Sequence, residues 1–205
     1  MICAVVLAAG ESRRMGVQKL LLPLGGGTVI KHIINQLLNS AVDEVYIVVG
    51  HEGDRIAEQI SGLAVSVVNN PNYQKGMLSS VRCGLGALPP ECEKVLVALG
   101  DQPAITTRLV DEMIGSLAAT DKGIIVPIHN GKRGHPILFS ERYRQEILTH
   151  YDDVGLRGLL RTHPDDVFEL NASTSAVLWD MDHPEDYQRE LEQRGLSKKN
   201  NNCDK

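Results

Sequence analysis

The chain has 205 residues, 21 Lys and Arg against 26 Asp and Glu, a formal net charge of -5, 42% hydrophobic residues and 4% aromatics. A chain of this length can build one self-sufficient core without disulfides or a structural metal. The acidic balance and scarce aromatics argue against a nucleic-acid binder, which needs a basic face or stacking platforms, and no apolar run is long enough to span a bilayer. Cys3, Cys83, Cys92 and Cys203 form neither a CxxC pair nor a ligand-like cluster, so a reducing cytoplasm is the expected setting.

The apolar start, Ile2 to Leu7, follows no basic segment and runs into arginines, so it reads as a strand rather than a signal peptide. In chain order the pattern then predicts a helix over Thr28 to Asn39, a strand at Glu44 to Val49, a helix over Asp54 to Ile60 and a strand at Ala64 to Val68. A helix opening near Ser79, a buried strand at Lys94 to Leu99, a helix over Thr106 to Leu117 and a strand at Gly123 to Val126 continue the alternation. The fold class it implies is α/β: a single-domain, Rossmann-like three-layer α/β/α sandwich with a mostly parallel mixed sheet.

Beyond Pro127 the alternation breaks. His129 to His135 reads as a polar connection, Pro136 to Phe139 as a strand, and Arg142 to Leu148 and Leu156 to Arg161 as short helices, together a mixed insertion at the sheet edge. Val167 to Leu170 and Ala176 to Asp180 read as closing strands, and Pro184 suits the first turn of a last helix ending at Gln193. Residues 1–193 then form the domain and 194–205 a polar, disordered tail.

Three segments carry candidate chemistry. The first strand runs into Leu7-Ala8-Ala9-Gly10, followed by Arg14 and Lys19. Small residues at a strand's carboxyl end let backbone N–H groups approach phosphate, and the two cations suit a polyphosphate. A solvated basic turn is the bland alternative. The segment is neither a Walker loop nor GxGxxG. The strand Val95 to Leu99 ends in Gly100-Asp101-Gln102-Pro103, placing Asp101 at the same edge to hold Mg²⁺, although taken alone a strand-end Asp before Pro is more often plain turn chemistry. In Asp180-Met181-Asp182-His183-Pro184, two acids at strand spacing face one side; either could complete a metal site, and Asp182 could instead cap the following helix. The Asn69 to Ser80 stretch could read a base or ribose at a helix start, with Ser79 or Ser80 as a plain N-cap. Gly131 to Pro136 is cationic and suits a second anionic substrate. The histidines show no metal-ligand spacing.

Taken in order, LAAGESRRMGVQKLLLP, NPNYQKGMLSSVRCGL, ALGDQP, GKRGHPILF and DMDHPEDY resemble the signatures of the molybdenum cofactor cytidylyltransferases over about residues 2 to 190. The first motif alone is similar to the wider nucleotidyltransferase superfamily. Guanylyl relatives carry Leu-Ala-Gly-Gly where this chain has Leu7-Ala8-Ala9-Gly10, which favours CTP over GTP.

The resemblance implies that Leu7, Ala8, Ala9 and Gly10 line the nucleotide, that Arg14 and Lys19 bind the triphosphate, and that Asp101 and Asp182 hold Mg²⁺. Gly76 and Ser80 would contact cytosine or ribose, while Gly134, His135, Pro136 and Arg157 would lie on the molybdopterin side. It also implies delivery of product to molybdoenzymes of the xanthine dehydrogenase type. Asp152, Leu156 and His183 depart from the pattern, where Gly, Ala and Thr are usual. Two other readings stand beside this one: a nucleotidyltransferase using GTP or another phosphorylated acceptor, and a non-catalytic nucleotide-binding regulatory module.

Overall fold

The computed structural model describes residues 1–196. The first strand, β1 (Ile2–Ala8), leads through a long loop to a small hairpin, β2 (Pro23–Leu24) and β3 (Gly27–Thr28). The chain continues through α1 (Val29–Leu38), β4 (Glu44–Val49), α2 (Gly53–Ile60), β5 (Ser66–Asn69), α3 (Met77–Ala87), β6 (Lys94–Leu99), α4 (Thr107–Ala119) and β7 (Ile124–His129). It then forms β8 (Lys132–Arg133), β9 (Ile137–Ser140), α5 (Arg144–Thr149), α6 (Leu156–Thr162), β10 (Val167–Asn171) and α7 (Pro184–Gln193). The tail expected from residue 194 lies outside the described residues beyond Leu196; Arg194 and Leu196 still bond back to α7, donating to Glu190 and Leu191 carbonyls.

The main sheet orders its strands β10, β7, β9, β6, β1, β4, β5, with β8 paired to β7. Pairing is parallel at β1–β4, β1–β6, β4–β5 and β7–β10, and antiparallel around β9 and β8. Central strands are apolar on both faces because helices cover both. From β1, Ala4 and Val6 join the core under α1, α2 and α4, whereas Cys3 and Val5 join the core under α3, α5 and α6. The expected three-layer α/β sandwich is what forms.

Two expectations need correction. The segment after Pro127 is not added at the sheet edge: β9 lies between β7 and β6, antiparallel to both. Its entry is a tight turn at Asn130 (φ 50°) and Gly131 (φ 74°), left-handed residues that fold β8 back onto β7. Ala176 to Asp180 is no strand. Ser175–Leu178 forms a 3-10 turn, begun by Thr174, whose hydroxyl accepts from Ala176 N. Val177 O accepts from His135 N, so the segment packs on the β8–β9 connection instead of extending the sheet.

The site follows from strand order. After β1 the chain fills positions on one side, β4 then β5, and crosses to β6 on the other. Order reverses at the carboxyl ends of β1 and β6, which is where an open α/β sheet leaves its crevice.

Candidate active site

Leu7 and Leu99 are paired across β1 and β6, and Gly100 N donates to Leu7 O at 3.0 Å. The loop after β1 and Asp101 therefore leave the sheet side by side. Gln18, only 6% exposed, organises that loop. Its amide nitrogen donates to Gly10 O at 3.2 Å and His51 O at 3.4 Å, and its oxygen accepts from Ser12 Oγ at 2.8 Å. Ser12 Oγ in turn accepts from Lys19 N at 3.2 Å. The turn is thus held open as a cradle by one buried amide.

Lys19 crosses from this loop to two carboxylates: its Nζ lies 2.5 Å from Asp101 Oδ2 and 2.7 Å from Asp182 Oδ1. Arg14 Nη1 reaches the other Asp182 oxygen at 2.8 Å. Burial opposes the charge on Lys19, but Asp101 and Asp182 outweigh it and hold the ammonium above its ordinary range. Burial raises the Asp101 carboxyl, against the pull of Lys19 and with repulsion from Asp180 and Asp182 added. The hydrogen bond from Lys19 holds Asp182 below the usual carboxylate range.

The two alternatives left open at the third motif separate here. Asp180 Oδ1 accepts from Gln102 Nε2 at 2.6 Å, and its side chain does not meet Lys19. The helix start is held by Asp186, whose Oδ2 accepts from His183 N at 2.8 Å and Asp182 N at 3.2 Å, which leaves the Asp182 carboxylate free for Lys19 and Arg14. Met181 N donates to Asp101 O at 3.0 Å, tying the segment to the end of β6.

A cavity of about 690 Å³ lies over this end of the sheet. Leu7, Ala9, Gly10, Arg14, Lys19, Gly76, Ser80, Asp101 and Asp182 all line it. Ala8, expected with them, is instead buried at the end of β1 and does not line it. Ser80 is no N-cap: α3 starts at Met77, and Ser80 Oγ and Ser79 Oγ both accept from buried Asn70 Nδ2 at 3.0 Å. Gln18, Asn70 and the lining residue Tyr73 were not singled out from sequence. Gln18 carried no signal beyond lying in the first loop, and Asn70 sat inside a polar run where several amides looked alike.

A second cavity of about 560 Å³ adjoins the first, sharing Leu7 and Met77 in its walls. Gly134, His135 and Arg157 line it, joined by Arg133, Arg161 and Gln102, while Pro136 is buried behind. Its floor is apolar, with Leu78, Val81 and Leu160. Among the described residues neither Arg157 nor Arg161 pairs with a carboxylate; Arg133 pairs with Glu169 at 2.8 Å. Burial lowers the His135 imidazole below its ordinary value, and its buried Nδ1 has no partner among the described residues.

The donors fit a divalent cation of the magnesium type. Such an ion takes one or two carboxylates and completes its shell with water and phosphate oxygens, and Asp101 and Asp182 already aim oxygens at one cationic point. Among the described residues there is no cluster of three or more His, Cys, Asp or Glu side chains suited to an all-protein metal cage. No described helix is long and apolar enough to cross a membrane.

Comparison with known proteins gives the family. The chain is 29% identical over 184 residues to the molybdenum cofactor cytidylyltransferase of Escherichia coli K12, covering 89% of this chain and 92% of that protein. A nucleotidyl transferase from Methanothermobacter superposes with a TM-score of 0.82 at 28% identity, covering 94% of this chain and 97% of the other. Rv0371c of Mycobacterium tuberculosis H37Rv, in complex with manganese, superposes with a TM-score of 0.77 at 27% identity, covering 93% and 98%. Residues 4–167 match the MobA-like NTP transferase domain, and with the β1–β6 crevice built as described the chain belongs to that family and is a nucleotidyltransferase.

Proposed function

We propose that this enzyme transfers CMP from Mg·CTP to the terminal phosphate of molybdopterin, yielding molybdopterin cytosine dinucleotide and pyrophosphate. The observation that carries the reading is the pair of adjoining cavities. One is lined by a small-residue turn, two cations and two carboxylates; the other by an apolar floor with Arg157 and Arg161, which pair with no carboxylate among the described residues. Two substrates, a nucleotide and a flat anionic acceptor, fit that division, and likeness to the E. coli cytidylyltransferase over most of both chains supports the choice of acceptor.

An acceptor phosphate oxygen attacks the α-phosphorus in line as the bond to the β-phosphate bridging oxygen breaks, and pyrophosphate leaves with that electron pair. The nucleophile is already anionic, so positioning and charge neutralisation do the work and no general base is required. Ala9 and Gly10 allow close backbone approach to the nucleotide, and Gly76 and Ser80 flank its base or ribose. Arg14 and Lys19 neutralise charge that builds on pyrophosphate, the first as a fork and the second as a point charge. Asp101 and Asp182 would hold Mg²⁺, which when bound would screen the phosphate charges. His135 and Arg157 face the acceptor. The product passes to a molybdenum hydroxylase of the xanthine dehydrogenase type.

Pyrophosphate release from CTP and, separately, GTP, with molybdenum-loaded molybdopterin as acceptor, tests the reading. Release with CTP should fall about 10²–10³-fold in Asp101→Asn while the fold is retained. A preference for GTP overturns the base assignment, and silence with both redirects the search to other phosphorylated acceptors.

A further inference from the structure

Two carboxylates aimed at one point repel each other unless a cation lies between them. Here that cation belongs to the chain. Lys19 Nζ contacts Asp101 Oδ2 and Asp182 Oδ1 at once, with 12% of the side chain exposed, and Arg14 covers the remaining Asp182 oxygen. Three of the four oxygens that would meet a divalent ion therefore already have a positive partner. Lys19 is also fixed from behind, since its backbone N–H is held by Ser12 Oγ within the loop that Gln18 locks.

A free divalent ion in solution thus has to displace an ammonium that is tethered beside both acids and partly shielded from water. A nucleotide changes this balance. Seated in the cavity that Arg14, Lys19, Asp101 and Asp182 line, its phosphates would offer Lys19 and Arg14 anionic oxygens of their own and release the carboxylates. We propose that Lys19 is a built-in placeholder for the divalent cation, which makes metal binding conditional on the nucleotide. This rests on the metal-site reading given above.

Because coupling between two ligands is reciprocal, the metal should strengthen nucleotide binding by the same factor by which the nucleotide strengthens metal binding. Arg14 contributes less, since 67% of its side chain is exposed and water screens its pair with Asp182. The consequence is that the protein neither stores free divalent ions nor orders its acids around one before substrate arrives.

Mn²⁺ provides the probe, its binding read as loss of the free-ion EPR signal without nucleotide. Wild type should bind weakly, and Lys19→Met about tenfold or more tightly, with the gain abolished by adding Asp101→Asn. Lys19→Arg keeps the positive charge and should stay weak; circular dichroism confirms that each variant is folded. Equal Mn²⁺ affinity in wild type and folded Lys19→Met overturns the proposal. A second measurement needs no variant at Lys19: CTP binding to wild type, by calorimetry with and without Mn²⁺, should be tighter with the metal. If it is, and Asp101→Asn removes the gain, the metal site stands and the Lys19 comparison alone decides the placeholder role. If Mn²⁺ leaves CTP affinity unchanged, the metal-site reading falls and the placeholder with it.

Discussion

The two walls of the crevice are held by different means. On the nucleotide side, buried polar side chains bond to backbone and to serine hydroxyls: Gln18 ties Gly10 O, Ser12 Oγ and His51 O together, and Asn70 donates to Ser79 Oγ and Ser80 Oγ while accepting from Asn72 N. On the acceptor side, steric fit and backbone bonds dominate. Gly134 N donates to Pro127 O, His135 N donates to Val177 O, and a side chain on Gly134 would meet the Val177 carbonyl carbon at 2.7 Å. The polar groups there are left over: among the described residues, Gln102 Oε1 and His135 Nδ1 are buried without partners. Gln102 cannot relieve this by turning its amide, because its nitrogen faces the Asp180 carboxylate, which only accepts. One wall is thus shaped by hydrogen bonds before substrate arrives, and the other by packing that tolerates unmet polar atoms.

The largest effect should come from breaking the packed wall. In Gly134→Ala the new methyl overlaps the Val177 carbonyl, and the 175–182 segment that carries Asp182 must shift to admit it. A loss of about 3 kcal/mol is expected, as for overpacking against a backbone that has no free rotamer. A thermal melt should show a Tm about 10 °C lower. Activity should fall with saturating CTP as well as limiting CTP, because Asp182 moves with the wall. A Tm within a degree or so of wild type would mean that the β8–β9 connection yields freely and that packing does not hold this side.

The hydrogen-bonded wall should break more gently and more selectively. Gln18→Leu keeps much of the volume but leaves Gly10 O, His51 O and Ser12 Oγ short of a partner. The cost should be about 2 kcal/mol, set by desolvated backbone acceptors rather than by lost volume. Steady-state rates should show KM for CTP rising about tenfold, with KM for the acceptor near wild type. An equal rise in both would show that the loop supports the whole crevice and erase the contrast between the walls.

The same contrast governs what could be read from sequence. The carboxyl ends of β1 and β6, and with them the loops that carry Lys19 and Asp101, follow from short apolar runs and local turn chemistry, and β4 and β6 form at their expected bounds. Ala176 to Asp180 misled because Ala-Val-Leu-Trp is apolar and β-prone. Beside the local cap from Thr174, what draws it off the sheet is distant: Val177 O accepts from His135 N, 42 residues earlier in the chain. The place of β9 between β6 and β7 is equally nonlocal, since nothing in Ile137 to Ser140 names its neighbours. Asp182 was legible as one of two acids. Only the bonds from Gln102 to Asp180 and from Lys19 to Asp182 divided their roles.

The smallest effect should come from acid acting behind the acceptor wall. Burial pushes the Glu146 carboxyl up, but hydrogen bonds from Tyr151 and His163 outweigh it and keep it below its ordinary 4.5. Tyr151 packs over Gly158 at the start of α6, where a Cβ would come within 2.8 Å of its ring, so this carboxylate braces the helix that carries Arg157. A carboxyl whose folded pKa is depressed stabilises the fold above its unfolded pKa, and that contribution is lost as pH falls through the folded value. Urea melts from about pH 6 down to about pH 3 should therefore show unfolding coupled to uptake of at most about one proton at this site. Glu146→Gln should lose stability at the upper end and approach wild type at the lower end, since protonation has by then removed the same charge. Parallel curves across the range would show that the Glu146 charge contributes nothing to bracing α6, and that packing of Tyr151 on Gly158 holds the acceptor wall by itself.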